Sequence, residues 1–312
     1  GMLMDKPIPS YIGLQAPVAN VGEMKNSGVE LELTYKGHVR DFKYRISGNA
    51  TYLKNELIKM GNETGYQNYD SFQGIGTITR AEDGLPFPFF YGFQTDGIFQ
   101  NWDEVNAHVK DGQLIQPNPQ PGDVRFVDRH GDGRITDDDQ TKIGKGMPTW
   151  SYGLNFQASW KGFDLSFMFQ GVAGNQIFDA TRRTDIESIN LPSWMLGRWT
   201  GEGTSDKYPI FRIGDSSNDG MNWRSSDLYL SDGSYIRLKN IQLGYTLPKQ
   251  LMKKIFINHL RFFASMDDWF VITKYPGFDP ETASTGSTSG MGLDKGSYPN
   301  SKKLMFGVNI SF

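Results

Sequence analysis

Short and long connections alternate strictly along this chain, between segments that repeat with period two. Together these features restrict the fold more than any single motif. Period-two alternation marks a strand whose two faces differ in polarity. Val29, Leu31, Leu33 and Tyr35 alternate with Glu30, Glu32, Thr34 and Lys36. Phe42, Tyr44, Ile46, Gly48, Ala50 and Tyr52 alternate with Lys43, Arg45, Ser47, Asn49 and Thr51. Tyr152, Leu154, Phe156, Ala158 and Trp160 form a third row. Leu165, Phe167 and Phe169 follow after Gly162, and Leu304, Phe306, Val308, Ile310 and Phe312 close the chain. Ile241, Leu243, Tyr245 and Leu247 make a further row, but Ile236 and Leu238 stand on the opposite phase. Either a bulge or an emergence into a loop near Lys239-Asn240 would account for the switch. The stretch from Leu260 to Val271 is more apolar and less regular.

Short turns fall at Lys36–Asp41, Lys161–Phe163 and Pro248–Asn258, and long connections at about 54–149, 172–233 and 272–302. Transmembrane barrels have tight turns at one rim and extended loops at the other. Several segments reach the ~9–11 residues that cross a bilayer when tilted. The expected class is all-β, built of antiparallel hairpins. A soluble β-sandwich shares the period but seldom segregates its loops in this way, and it would pair its strands out of order. Two or three short helices interrupt the loops. Asn101 caps one, with Glu104 at the capping-box position. Pro248 opens another, with Leu251, Met252 and Ile255 on one face and Lys253-Lys254 near its end.

Composition agrees with this reading. Aromatic residues make up 13% of the chain and glycines number 36, yet mean hydropathy is -0.49. Many rings and many turn formers with a polar average suit alternating strands and long wet loops. A net charge of -3 leaves no basic footprint for nucleic acid. With no cysteine there are no thiolate metal sites, disulfides or cysteine nucleophiles. No apolar run approaches the ~20 residues of a membrane-spanning helix. Gly1-Met2 reads as an expression scar, so the chain is expected to be a fragment of a longer protein. Residues 1–27 are expected to form an N-terminal segment and residues 28–312 the barrel portion with its loops.

The sharpest chemical motif runs from Asp128 to Asp139. Asp128, Asp132 and Asp139 take positions 1, 5 and 12 of an EF-hand-like loop, Gly133 takes the sharp turn and Ile135 the inward apolar position. Arg134 would offer its backbone carbonyl. His130 replaces the usual Asp or Asn at position 3, and Asp139 replaces the bidentate Glu at position 12. A structural calcium ion is expected among Asp128, His130, Asp132, Arg134 and Asp139; the bland alternative is a solvated acidic turn. Enzymatic motifs are missing. His38, His108, His130 and His259 are scattered without zinc spacing, and Asp267-Asp268, adjacent on a strand, point to opposite faces and cannot flank one bond. The chain is therefore expected not to be an enzyme.

Rings near strand ends, Trp150, Tyr152, Trp160, Phe163, Tyr245 and Trp269, suit the interfacial girdle of a barrel. Phe87, Phe89, Phe90, Tyr91, Phe93, Trp194, Trp199 and Trp223 lie in loops, where packing is the expected role for most. The ending Phe306, Val308, Ile310, Phe312 resembles the signal read by the barrel-insertion machinery.

Five segments carry a family resemblance. They are Asn20-Val21-Gly22 through Asn26-Ser27-Gly28-Val29-Glu30-Leu31; Tyr91-Gly92-Phe93 through Asp96-Gly97-Ile98-Phe99-Gln100; Pro121-Gly122-Asp123 through Asp128 and Gly131-Asp132-Gly133; Tyr235-Ile236-Arg237-Leu238-Lys239-Asn240 through Leu243-Gly244-Tyr245-Thr246-Leu247-Pro248; and Tyr275-Pro276-Gly277-Phe278-Asp279-Pro280-Glu281. In this order they resemble SusC/RagA-type TonB-linked outer-membrane receptors over nearly the whole chain. The resemblance implies the C-terminal part of a ~22-stranded barrel in the outer membrane of Bacteroidetes-type bacteria. It implies import of oligosaccharides, or sometimes peptides, a SusD-like surface lipoprotein as lid, and the TonB complex acting through a plug domain. Two other readings stay open: a secreted, calcium-stabilised β-sandwich that binds glycans, and a glycan hydrolase domain. About seven strands cannot close so large a barrel, so loops or a second copy are expected to cover the apolar face.

Overall fold

The computed structural model describes residues 2–5, 18–71, 76–181, 193–212, 222–252, 257–283 and 287–312. Eight strands form one sheet in chain order, each antiparallel to the next. They are β1 (Met2–Asp5), β2 (Val18–Val39), β3 (Phe42–Lys59), β4 (Trp150–Trp160), β5 (Phe163–Ala173), β6 (Tyr235–Thr246), β7 (His259–Thr273) and β8 (Lys303–Ser311). Consecutive hairpins, without a Greek-key crossing, are the barrel arrangement and not that of the sandwich. Lys161 and Gly162 both take positive φ, 46° and 91°, as a two-residue hairpin turn requires. Because β2 starts at Val18, the wall begins well before residue 28, and the segment set at 1–27 contributes to it.

Register turns the alternation into two faces. Tyr35, Ile46, Phe156, Phe167, Ile241, Met266 and Leu304 face one another across seven strands. One position along, Thr34, Ser47, Asn155, Met168, Asn240, Asp267 and Lys303 make the mainly polar row of the other face. A bulge is present at Lys239, where the register shifts against both β5 and β7. It puts Ile236 and Leu238 on the same face as Ile241, Leu243 and Tyr245. From the first to the last of its 11 residues β4 rises about 33 Å, at ~3.3 Å per step. A tilt of ~40° projects this to about 25 Å, the height of the apolar band of such barrels. Trp150 and Trp160 stand at its two ends, with Tyr52 beside the first. Trp269 lies next to the bulge and donates to the Lys303 carbonyl, apart from that girdle.

Among the described residues the apolar face stays open. Leu33, Leu243 and Phe306 keep 65%, 54% and 79% of their surface. The loops do not fold back over it; all three long ones leave from the same rim and pack on one another. Their core joins Ile78 and Phe90 of the first loop, Phe178 and Tyr229 of the second and Leu293 of the third. A parallel pairing of Gln176–Asp179 with Leu293–Asp294 ties the second loop to the third. β2 and β3 outrun β4, and Leu57 there packs with Met60, Ala81 and Phe87. The dry core of the chain therefore lies in its loops, and Phe87, Phe89, Phe90, Tyr91 and Phe93 are all buried in it. Trp199 and Trp223 are half-buried, and the Trp194 side chain is outside the described set. The first helix, Trp102–Ala107, is capped by Asn101, while Glu104 accepts from the Gln100 amide. Of the second, Lys249–Met252 is described; Lys253, Lys254 and Ile255 lie outside the described residues.

Candidate functional site

The acidic turn of the first loop runs between the short strand Val124–Phe126 and a 3-10 turn at Asp137–Asp139. Asp128 accepts from the amides of Gly131 at 2.6 Å, Asp132 at 3.3 Å and Gly133 at 2.8 Å. Asp132 accepts from the Arg134 amide at 3.0 Å. Asp139 is buried and closes the ring, accepting from Arg129 at 2.9 Å, His130 at 3.1 Å and Thr136 at 2.8 Å. Burial would raise its carboxyl, but the amides of Thr136, His130 and Arg129 outweigh that and hold it below the usual carboxylate range. Gly131 and Gly133 take positive φ, and Ile135 packs on Phe93, Val124 and Phe126. The His130 ring is exposed, 3.6 Å from Asp139. The wound loop read from the spacing is thus present, with amides where a cation's ligands would converge. Among the described residues no three His, Cys, Asp or Glu side chains stand together as a metal group.

No protein-family model matches the chain. Individual relatives do, over its full length. TonB-dependent receptor P39 of Formosa agariphila is 30% identical over 349 residues, covering 100% of this chain and 32% of the relative. TonB-dependent receptor SusC of Bacteroides thetaiotaomicron is 26% identical over 298 residues, covering 94% of this chain and 27% of SusC. The RagAB peptide importer in its open-open state superposes with a TM-score of 0.74 at 26% identity, covering 100% of this chain and 31% of the matched chain. The chain is of the SusC/RagA receptor type. It spans about a third of the length of the curated relatives it matches, and its strands are wall strands of a β-barrel in the bacterial cell outer membrane.

In this receptor segment the motif blocks hold the loop body to the wall. Asp123 is fully buried and accepts from Arg212 at 3.0 Å and from Asn222 at 2.9 Å, joining the first loop to the second. Gly122 before it has φ +92°, and a Cβ there would meet Trp199 at 2.6 Å. Ser225 of the second loop donates to the Tyr91 carbonyl at 2.7 Å. A second cluster joins two motif blocks that lie apart in the sequence. Arg237 of β6, buried, hydrogen-bonds Asp279 of the third loop and lies 3.0 Å from Glu281. Lys239, thrown out by the bulge, reaches Asp268 at 3.0 Å and Glu281 at 2.8 Å. The signal was the presence of two charged blocks in one chain; what hid it was that nothing local pairs them.

A cleft of about 370 Å³ lies between the second and third loops, and its lining includes Tyr208, Tyr275, Phe278, Asp179, Lys207 and Asp294. Tyr275 donates to Asp294, and burial and that bond push its hydroxyl pKa up. Phe278 is 80% exposed. Rings beside carboxylates and an ammonium suit a polar oligomer with apolar faces.

Proposed function

We propose that the whole receptor imports oligomeric nutrients, oligosaccharides in the first place, through a TonB-energised barrel, and that this chain supplies wall strands and extracellular loops. The observation that carries the reading is the combination of a polar face along in-order hairpins with all long loops packed at one rim. Similarity to about a third of the length of TonB-dependent receptors, over nearly the whole of this chain, supports it. A SusD-like surface lipoprotein is the proposed lid and the TonB complex, through a plug, the proposed energy source. Peptide is the second reading, favoured by the likeness to the RagAB peptide importer. Uptake of labelled oligosaccharides and labelled peptides by cells with and without the receptor separates the two. Loss of oligosaccharide uptake is expected; loss of peptide uptake alone would replace the first reading by the second. Co-purification of a surface lipoprotein with the tagged receptor tests the lid. Release of shorter glycans by the purified receptor would overturn the reading of the chain as a non-enzyme.

Calcium in the acidic turn is proposed on the motif spacing, and the amide contacts of Asp139 weigh against a bidentate ligand there, since three amides already occupy most of its lone pairs. Calorimetric uptake of calcium that is lost in Asp132→Ala supports the ion, and no uptake removes it.

A further inference from the structure

We propose that the loop-side rim of the wall holds a phosphate-bearing lipid headgroup on Lys54, Lys142 and Lys145. β3 sets the position. Tyr52 pairs with Val29 and Trp150 on the apolar face, and the next residue of that phase is Lys54. Asn55 and Leu57 turn the other way: Asn55 bonds Asn26 at 2.7 Å and the Phe87 amide at 2.7 Å, and Leu57 is buried in the loop body. Lys54 thus stands on the lipid side, directly above the Tyr52–Trp150 ring pair, whose centroids are 5.1 Å apart. Such rings sit at the headgroup level of a bilayer.

Beside them opens a cavity of about 340 Å³ whose lining includes Tyr52, Lys54, Glu56, Lys142, Lys145 and Thr149. Its charges are three ammonium groups against the single carboxylate of Glu56. Glu56 is taken by Lys54 at 2.9 Å. Lys142 and Lys145 form no ion pair among the described residues. Lys145 donates to Thr149 Oγ1 at 2.7 Å, and burial, then the neighbouring Lys142, lower its pKa. An anion between the two lysines relieves both effects. Lysines suit it as rotatable point charges where a planar carboxylate fork is not required. Free phosphate shares this chemistry, but the apolar face directly below offers acyl chains a place that free phosphate does not use. The lipid is therefore the assigned source.

The site rests on the outer-membrane placement and not on any nutrient, so the test reads lipid and not uptake. Detergent-solubilised whole receptor is mixed with phosphatidic acid or phosphatidylcholine, and bound lipid is counted by native mass spectrometry. Retention of phosphatidic acid over phosphatidylcholine is expected, falling by roughly tenfold in the Lys142→Ala/Lys145→Ala double variant. Lys142→Arg/Lys145→Arg should keep it, and Glu56→Gln, which frees Lys54, should raise it. Equal retention by wild type and the double alanine variant overturns the proposal. So does displacement of the lipid by inorganic phosphate alone, which would make this a free-phosphate site. If the alanine pair fails to fold, the arginine pair and Glu56→Gln still decide: no gain in Glu56→Gln together with no preference in the arginine pair overturns it.

Discussion

Asp139 shows how much one side chain can carry in this molecule. It holds three amides in a ring whose only regular element is the 3-10 turn at Asp137–Asp139. Asp139→Ala leaves those donors without their acceptor, and a local loss of about 1–3 kcal/mol is expected, read by hydrogen exchange across residues 128–139. Asp132→Ala frees a single amide and should loosen the turn less. The pH dependence has a definite sign. A carboxyl depressed in the fold contributes stability that is complete above its unfolded pKa of ~3.9 and is lost only as pH falls through the lower folded value. Amide protection in the turn should therefore survive to pH ~4 and collapse in stronger acid. Arg237 is the second such residue. Arg237→Met leaves Asp279, buried at 3% exposure, without its cation, at a cost of about 3–5 kcal/mol. Faster proteolytic cutting between residues 274 and 302 would register it, and unchanged cutting would show that Lys239 and Asn300 suffice.

Within the elements, β6 carries the most information, because its single bulge keeps one face apolar from Ile236 to Tyr245. A one-residue slip moves every side chain to the other face. Deleting a paired residue beyond the bulge, Gln242, should thus drive Leu243 and Tyr245 onto the polar side, with loss of the folded, heat-modifiable band on a gel. Deleting Lys239, the extra residue itself, leaves Leu238, Asn240 and Ile241 in plain alternation and should keep that band. The two faces also differ in what they accept. Leu154→Arg, in the apolar row of β4, should cost about 2–4 kcal/mol at mid-bilayer depth, whereas Asn155→Arg next to it, on the polar face, should cost far less. Equal costs in urea unfolding from lipid vesicles would contradict the assignment of the faces.

At the scale of the whole molecule, the sheet contributes surfaces and the loops contribute the core. Leu57, Phe90, Phe93, Phe126, Phe178 and Tyr229 are all essentially inaccessible, and all lie at or beyond the loop-side rim. The apolar row of the wall has lipid as its natural cover. Without lipid or detergent the 312-residue chain should associate through that row and the open edges of β1 and β8. Sedimentation of a monodisperse monomer in plain buffer would contradict this.

Most of the wall is legible in the sequence, because a strand's period is a property of the backbone and acts within a few residues. Val29 to Tyr35 announce a strand with one apolar face, and Asn101 announces a helix start; the phase break at Leu238 announces an irregularity that the pairing resolves as a bulge. The motif blocks were equally visible, and they matched a family as blocks. Their duties were not visible. Arg237 meets Asp279 across 42 positions, and Asp123 meets Arg212 across 89; such pairs exist only once three loops have been gathered at one rim. The acidic turn lies between these cases. Its spacing winds the chain around a point, as the glycines require, but whether that point is filled by a cation or by amides depends on where Asp139 comes to rest. That position follows from the packing of Ile135 against Phe93, Val124 and Phe126, a contact between segments that no local periodicity encodes.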